Sequence, residues 1–104
     1  MRHDYIVIES NCLEHLKVDY LPLNDIVREF TGFEKSFPSN DEFKDVLDFL
    51  IYIIPKYNLG CLEGKEMAPV DKSLEDIIEF LKRKWEQGKY EEISYGIWFC
   101  MKSS

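Results

Sequence analysis

Ser39–Pro55, SNDEFKDVLDFLIYIIP, decides how this chain folds. Ser39 and Glu42 stand three apart, the spacing at which each side chain satisfies a backbone N–H of the other and opens a helix. Phe43, Val46, Leu47, Leu50 and Ile54 then return at helical spacing. Phe49, Ile51, Tyr52 and Ile53 widen the stripe until the second half is apolar all round. That predicts a helix over 40–54, buried at the centre of the domain. Pro55 is expected to end or kink it, because proline has no donor and clashes with the preceding turn. Gly60 is expected to supply a left-handed stop shortly after.

Two more helices frame this one. Over 74–87, Ser73 is the cap, and Glu75 and Asp76 occupy the first turn, where the helix dipole favours anions. Leu74, Ile77, Ile78, Leu81 and Trp85 make one face, with Phe80 beside it. Lys82, Arg83 and Lys84 fall near the C-terminal end, and Gly88 supplies the stop. Over 24–31 a shorter helix carries Leu23, Ile26, Val27 and Phe30 as its stripe, and Gly32 closes it. Residues 34–38 then read as a loop.

Three segments are less regular. Tyr5–Glu9 is β-branched and aromatic, which suggests a strand, although Tyr5, Ile8, Cys12 and Leu16 would also suit a helix. Gly60–Met67, with Gly64 at its middle, reads as a short hairpin. In Tyr95–Met101, Ile97, Phe99 and Met101 alternate with Trp98 and Cys100, the pattern of a buried strand or of an extended tail docked on the core. The expected fold class is α+β, mainly helical, with three or more helices around a buried central helix and a small amount of sheet. The length of 104 residues suits one domain.

Lys+Arg number 13 and Asp+Glu 20, a net charge of −7. Such an excess costs self-repulsion and favours cationic partners. Duplex nucleic acid is not expected as a direct partner, because binding it needs Lys and Arg to displace counterions from phosphates. A basic protein is. With 45% hydrophobic and 14% aromatic residues the chain is too apolar for disorder. The longest apolar run, 49–55, is too short for a membrane span, and no Lys- or Arg-led apolar leader opens the sequence. Cys12, Cys61 and Cys100 are an odd number at wide spacing, which reads as reduced cytosolic thiols and not as a disulfide framework.

Motifs for chemistry are sparse. Cys12 and His15 form the one close pair of soft ligands, with Cys61, Cys100 and His3 elsewhere, whereas zinc usually takes two such pairs. As a nucleophile Cys12 would need nearby cations to lower its pKa, and its neighbours are Glu9, Glu14 and Asp19. Asp41, Asp45 and Asp48 share a helix face, as do Glu75 and Glu79, but opposite the apolar stripes, where carboxylates are solvated and ordinary. GxGxxG and GxxxxGK[ST] are absent, and aromatics are not interleaved with Lys or Arg. No cofactor or metal is expected.

Trp85, Tyr90, Tyr95, Trp98 and Phe99 crowd the C-terminal third. Trp85 and Trp98 read as core. Tyr90 and Tyr95, flanked by Glu91 and Glu92, have a second reading as exposed rings, and tyrosine is a frequent anchor in interfaces.

A pattern runs from Phe43 to Phe99: the buried helix 43–54, the glycine turn Leu59-Gly60-Cys61-Leu62-Glu63-Gly64, the capped helix start Ser73-Leu74-Glu75-Asp76-Ile77-Ile78 ending at Trp85, and the Ile97-Trp98-Phe99 tail. It resembles a group of small bacterial proteins of unknown function, the DUF596 type, and immunity proteins of toxin systems, including contact-dependent growth inhibition. The resemblance implies a cytoplasmic antidote that binds and blocks a toxin domain, often a basic nuclease, with no functional residue carried across by motif.

The expected function is therefore non-enzymatic: neutralising a cognate toxin through an acidic surface drawn from Asp41, Asp45, Asp48, Glu63, Glu66, Glu91 and Glu92, with Tyr90 and Tyr95 as aromatic contacts. The alternatives are self-association through the Ile51–Ile54 face or the Trp98–Met101 tail, as a homo-oligomer, and a small enzyme using a carboxylate or Cys12. The enzyme would need a group titrating far from its ordinary range, and the sequence offers no environment that would create one.

Overall fold

The computed structural model of the chain describes residues 5–32 and 37–101. In chain order these form α1 (Tyr5–Leu16), β1 (Leu21–Pro22), α2 (Leu23–Thr31), α3 (Asn40–Tyr57), β2 (Leu59–Glu63), β3 (Ala68–Pro69), α4 (Leu74–Glu86), α5 (Tyr90–Ser94) and β4 (Ile97–Met101). Of the described residues 61% are helical, beside a small antiparallel sheet, the mainly helical α+β class that the sequence predicts. His3 lies outside the described residues, as do 34–36 of the expected loop at 34–38.

Helix α3 forms where its cap places it. The Ser39 N–H donates to the Glu42 carboxylate at 2.8 Å, and the Glu42 N–H donates to the Ser39 hydroxyl at 3.1 Å. Phe43, Val46, Phe49, Leu50 and Ile53 are sealed from solvent. Around them gather Leu23, Ile26 and Phe30 of α2, Leu81 of α4, Ile93 of α5 and Phe99 of β4 in one continuous core.

Three features of this helix differ from expectation. Pro55 does not stop it: α3 runs to Tyr57 and ends on Asn58, in the left-handed region at φ 52°. Gly60 is instead a strand residue. A proline so near the C-terminus removes one helical hydrogen bond, the one to the Ile51 carbonyl, and both Ile51 and Pro55 stand on an exposed side. Nor is the second half buried all round, since Ile51 and Tyr52 are exposed.

The ambiguous N-terminal segment is helical. In α1 the residues facing the core are Tyr5, Ile8, Cys12 and Leu16, while Ile6 is 79% exposed and Val7 54%. Tyr5 sets its ring against Phe49 at 5.2 Å and against Phe30 at 6.3 Å, both edge to face, and so anchors α1 to α2 and α3. Helix α2 starts at Leu23, one residue before the expected boundary, buries Leu23, Ile26, Val27 and Phe30, and closes at Gly32. In α4 the Ser73 hydroxyl accepts from the Asp76 N–H, Ile77 and Leu81 are buried, and Leu74, Ile78, Phe80 and Trp85 pack partly buried on the core.

The sheet has the order β1-β4-β2-β3. Strand β4 is an inner strand, not a tail, and pairs along its length with β2, from Leu59 opposite Met101 to Glu63 opposite Ile97. The expected hairpin is β2–β3, with Leu62 opposite Pro69. Strand β1 pairs Leu21 with Phe99 and Pro22 with Trp98. Both outer strands are two residues long and each contains a proline, which denies a further strand one of its donors. Strand β1 and helix α5 have no counterpart in the sequence reading. Among the described residues no helix is long and apolar enough to cross a membrane.

Candidate functional site

Helix α5 organises the acidic residues singled out above. Its five residues turn Tyr90 and Ile93 inward, three apart, and leave Glu91 and Glu92 in solvent. Tyr90 is therefore buried, contrary to its reading as an exposed contact; a ring next to two acids points inward when a turn of helix puts the acids on the other side. Burial pushes its hydroxyl up to about 12, with Tyr95 adding to the shift and Arg28 opposing it. Tyr95, just past the helix, is 64% exposed, as the second reading expects.

The hairpin joins this corner. The Gly64 N–H donates to the Gly96 carbonyl at 2.9 Å, so the β2–β3 turn meets the chain immediately after Tyr95. Glu63 and Glu66, both exposed, come to the same end of the sheet as Tyr95. Glu92 is bridged by Lys84 at 3.5 Å.

At the other end of α5, Tyr90 faces an open groove of about 630 Å³, lined by Phe37, Asn40, Trp85, Glu86, Gly88 and Tyr90. Its wall is aromatic. Phe43 stacks on Trp85 at 4.4 Å and 8°, and Tyr90 stands edge-on to Trp85 at 5.7 Å. Phe37 is edge-on to Tyr90 at 5.5 Å. The Trp85 indole N–H donates to Asn40 at 3.0 Å, which fixes the ring. Gly88, at φ 73°, lets the chain reverse from α4 into α5 in a conformation other residues avoid.

Asp41 stands beside Asn40 in the first turn of α3, exposed at this groove's end of the helix. Asp45 is half-buried and Asp48 is exposed two turns along. The structure thus gathers Glu63, Glu66, Tyr95, Glu91 and Glu92 around α5 and the hairpin, places Asp41 next to the groove, and leaves Asp48 apart. Sequence reasoning missed Phe37, Asn40 and Glu86. The available signal was the pairing of an aromatic just before the Ser39 cap with Trp85 at the end of another helix, and only tertiary structure brings those two together.

A second cleft, of about 200 Å³, is lined by Asn11, Cys12, His15, Leu21, Asp25 and Glu29. His15 Nε2 lies 2.9 Å from the Tyr20 carbonyl, an acceptor, so Nε2 carries the proton. His15 Nδ1 lies 3.6 Å from Asp25, and Asn11 donates to Glu29 at 2.8 Å. Burial pushes the Cys12 thiol up to about 12, and Glu29, Asp25 and Glu9 add to it. A thiol held protonated at neutral pH is a poor nucleophile. Cys61 is likewise pushed to about 12 by burial, then by Glu63 and Cys100. Among the described residues no three His, Cys, Asp or Glu side chains converge as a metal-binding group.

The structure does create a strongly shifted carboxylate, which the sequence did not suggest. Glu9 of α1 accepts from the Tyr52 hydroxyl at 2.6 Å and from the Tyr57 hydroxyl. Lys56 lies 2.9 Å from the carboxylate and donates to Tyr52 at 2.7 Å. These bonds, led by those from the two tyrosines, hold Glu9 at about 2 against 4.5. Shifts in Glu9, Cys12, Cys61 and Tyr90 all move away from neutral pH, the opposite of what acid–base catalysis needs.

The Glu9 cluster clamps α1 to α3 and makes stability depend on pH. A carboxylate depressed in the fold contributes fully above its unfolded pKa of 4.5, and the contribution is lost as pH falls toward about 2. The melting temperature should fall over that window, and Glu9→Gln should flatten that part of the profile. An equally steep fall in the variant would show that other carboxylates drive the loss.

Compared with known proteins, the chain matches no family model, no curated protein and no solved structure.

Proposed function

We propose that this chain is a non-enzymatic cytosolic binding protein, an immunity protein that neutralises a cognate toxin domain, with a basic nuclease as the partner its charge suits best. One observation carries this reading. Asp41, Asp48, Glu63, Glu66, Glu86 and Glu91 are exposed, and none has a cationic partner among the described residues. Folding leaves this negative charge unspent. A nuclease must carry cations for its phosphates, and an acidic cover over such a cleft speeds the encounter and disfavours wrong partners. The protonated Cys12 thiol and the shifts away from neutrality support binding over catalysis.

The test is affinity capture from the native cell at moderate salt. A single basic protein should co-purify in stoichiometric amount and be released at high salt. Neutralising Asp41, Asp48, Glu63, Glu66 and Glu91 together should weaken its binding by roughly tenfold or more without lowering the melting temperature. Unchanged affinity would sink the reading.

A second reading has its own support. Tyr5 and Tyr52 meet at 5.6 Å, and exposed Ile6, Val7 and Ile51 are their chain neighbours. These exposed apolar side chains on α1 and α3 suit self-association. Sedimentation should then show a mass that rises with concentration; a constant monomer mass would remove it.

A further inference from the structure

We propose that the groove between α3, α4 and α5 takes an arginine side chain of the partner, its guanidinium lying against the Trp85 indole and paired with the Glu86 carboxylate. This rests on the binding-protein reading above and names the chemistry of one contact within it. Among the described residues, Glu86 is the sole charged side chain in the groove lining. It is exposed and has no cationic partner among the described residues. Of the cations one turn back on its side of α4, Arg83 is drawn to Glu79 at 3.8 Å and Lys82 makes no ion pair with Glu86 among the described residues, while Lys84, two back, is engaged by Glu92. Lys89, between Gly88 and Tyr90, is not part of the lining.

The aromatic wall supplies the other half. Phe43 covers one face of the indole, the Asn40 bond fixes its rotation, and the ring remains half-exposed in the groove. A cation over an aromatic face is attracted by the ring quadrupole. Arginine suits the site better than lysine, because its planar group can stack on a ring while its fork of N–H donors meets a carboxylate, whereas ammonium is a compact, strongly hydrated point charge. The ring and the acid line the same groove, and the ring is held before any ligand arrives. Little ordering cost then remains on this side of the contact.

The experiment follows the indole N–H signal of Trp85 by NMR while the intact chain is titrated with N-acetyl-arginine amide. N-acetyl-citrulline amide (the same shape without the charge) and N-acetyl-lysine amide are titrated in parallel. The arginine probe should shift the Trp85 signal and saturate at a dissociation constant on the order of millimolar, leaving Trp98 unmoved. Citrulline and lysine should bind roughly fivefold weaker or less well still. Glu86→Gln should weaken the arginine probe roughly five- to tenfold, with the unliganded spectrum otherwise retained as proof of fold. No saturable shift, equal binding of citrulline, or an unaffected Glu86→Gln variant would each overturn the assignment. Capture of a basic partner by a protein whose groove ignores arginine would overturn this assignment and leave the broader reading intact. An arginine-binding groove in a protein that captures no basic partner would support the site while that reading fails.

Discussion

Phe49→Ala should cost about 3–5 kcal/mol of folding stability, the usual range for emptying a buried aromatic site. Phe49 is fully buried in the middle of α3. Its ring meets Tyr5 of α1 at 5.2 Å, Phe30 of α2 at 5.7 Å and Tyr52 at 6.3 Å. One side chain therefore joins three helices, and alanine would leave a void that none of them can fill alone. Domains of this size are stable by about 5–15 kcal/mol in total, so the variant should be close to unfolding at physiological temperature. The measurement is urea denaturation, where the midpoint should fall by about 1–5 M. Phe49→Leu, which keeps most of the volume, should recover most of the loss. A cost below about 1 kcal/mol for the alanine variant would mean that α1 and α2 do not converge on this ring.

Gly96→Ala should be the second largest effect, about 1–3 kcal/mol, the range for forcing atoms into packed space. A Cβ at Gly96 would stand 2.3 Å from the Glu92 carbonyl oxygen. Neither side can yield cheaply. The oxygen belongs to the backbone of α5, and the Gly96 carbonyl is tied to the Gly64 N–H across the hairpin turn. Relief would mean shifting α5 or breaking that bond, and either would disturb the corner where Glu63, Glu66 and Tyr95 gather. The variant should therefore show displaced backbone NMR signals at the hairpin and α5 as well as a lower melting temperature. Wild-type stability with an unchanged spectrum would contradict the close approach.

Both effects arise from contacts distant in sequence, which is also where reading the chain alone stops. Helices α2, α3 and α4 were legible because their apolar residues repeat often enough, with Ser39 and Ser73 marking two of the starts. The hairpin was legible from Gly64 between two short extended runs. Tyr5-Ile6-Val7-Ile8 was not, because β-branched residues fit either state, and the decision falls to Phe30 and Phe49, which accept Tyr5 only from a helix that points Ile6 and Val7 outward. Strand β1 exists only because Leu21 and Pro22 find Phe99 and Trp98. Helix α5 is a single short turn with three buried residues of its own. The acids of the candidate surface were legible as types, but their gathering was not: Gly64 meeting Gly96 brings the hairpin to Tyr95, and the turn at Gly88 folds α5 back to close the aromatic groove against Asn40. Tyr90 was misplaced for the same reason, since its burial depends on that turn.

The two outer strands carry a further consequence. With Pro22 on one border of the sheet and Pro69 on the other, and each strand only two residues long, the sheet offers a poor template for another polypeptide to add itself by main-chain pairing. A partner of this chain would then have to use side chains, which can be altered one at a time without touching the scaffold. The same borders discourage stacking of copies into fibrils, so a cell could stockpile this chain in excess of any partner without seeding polymer growth.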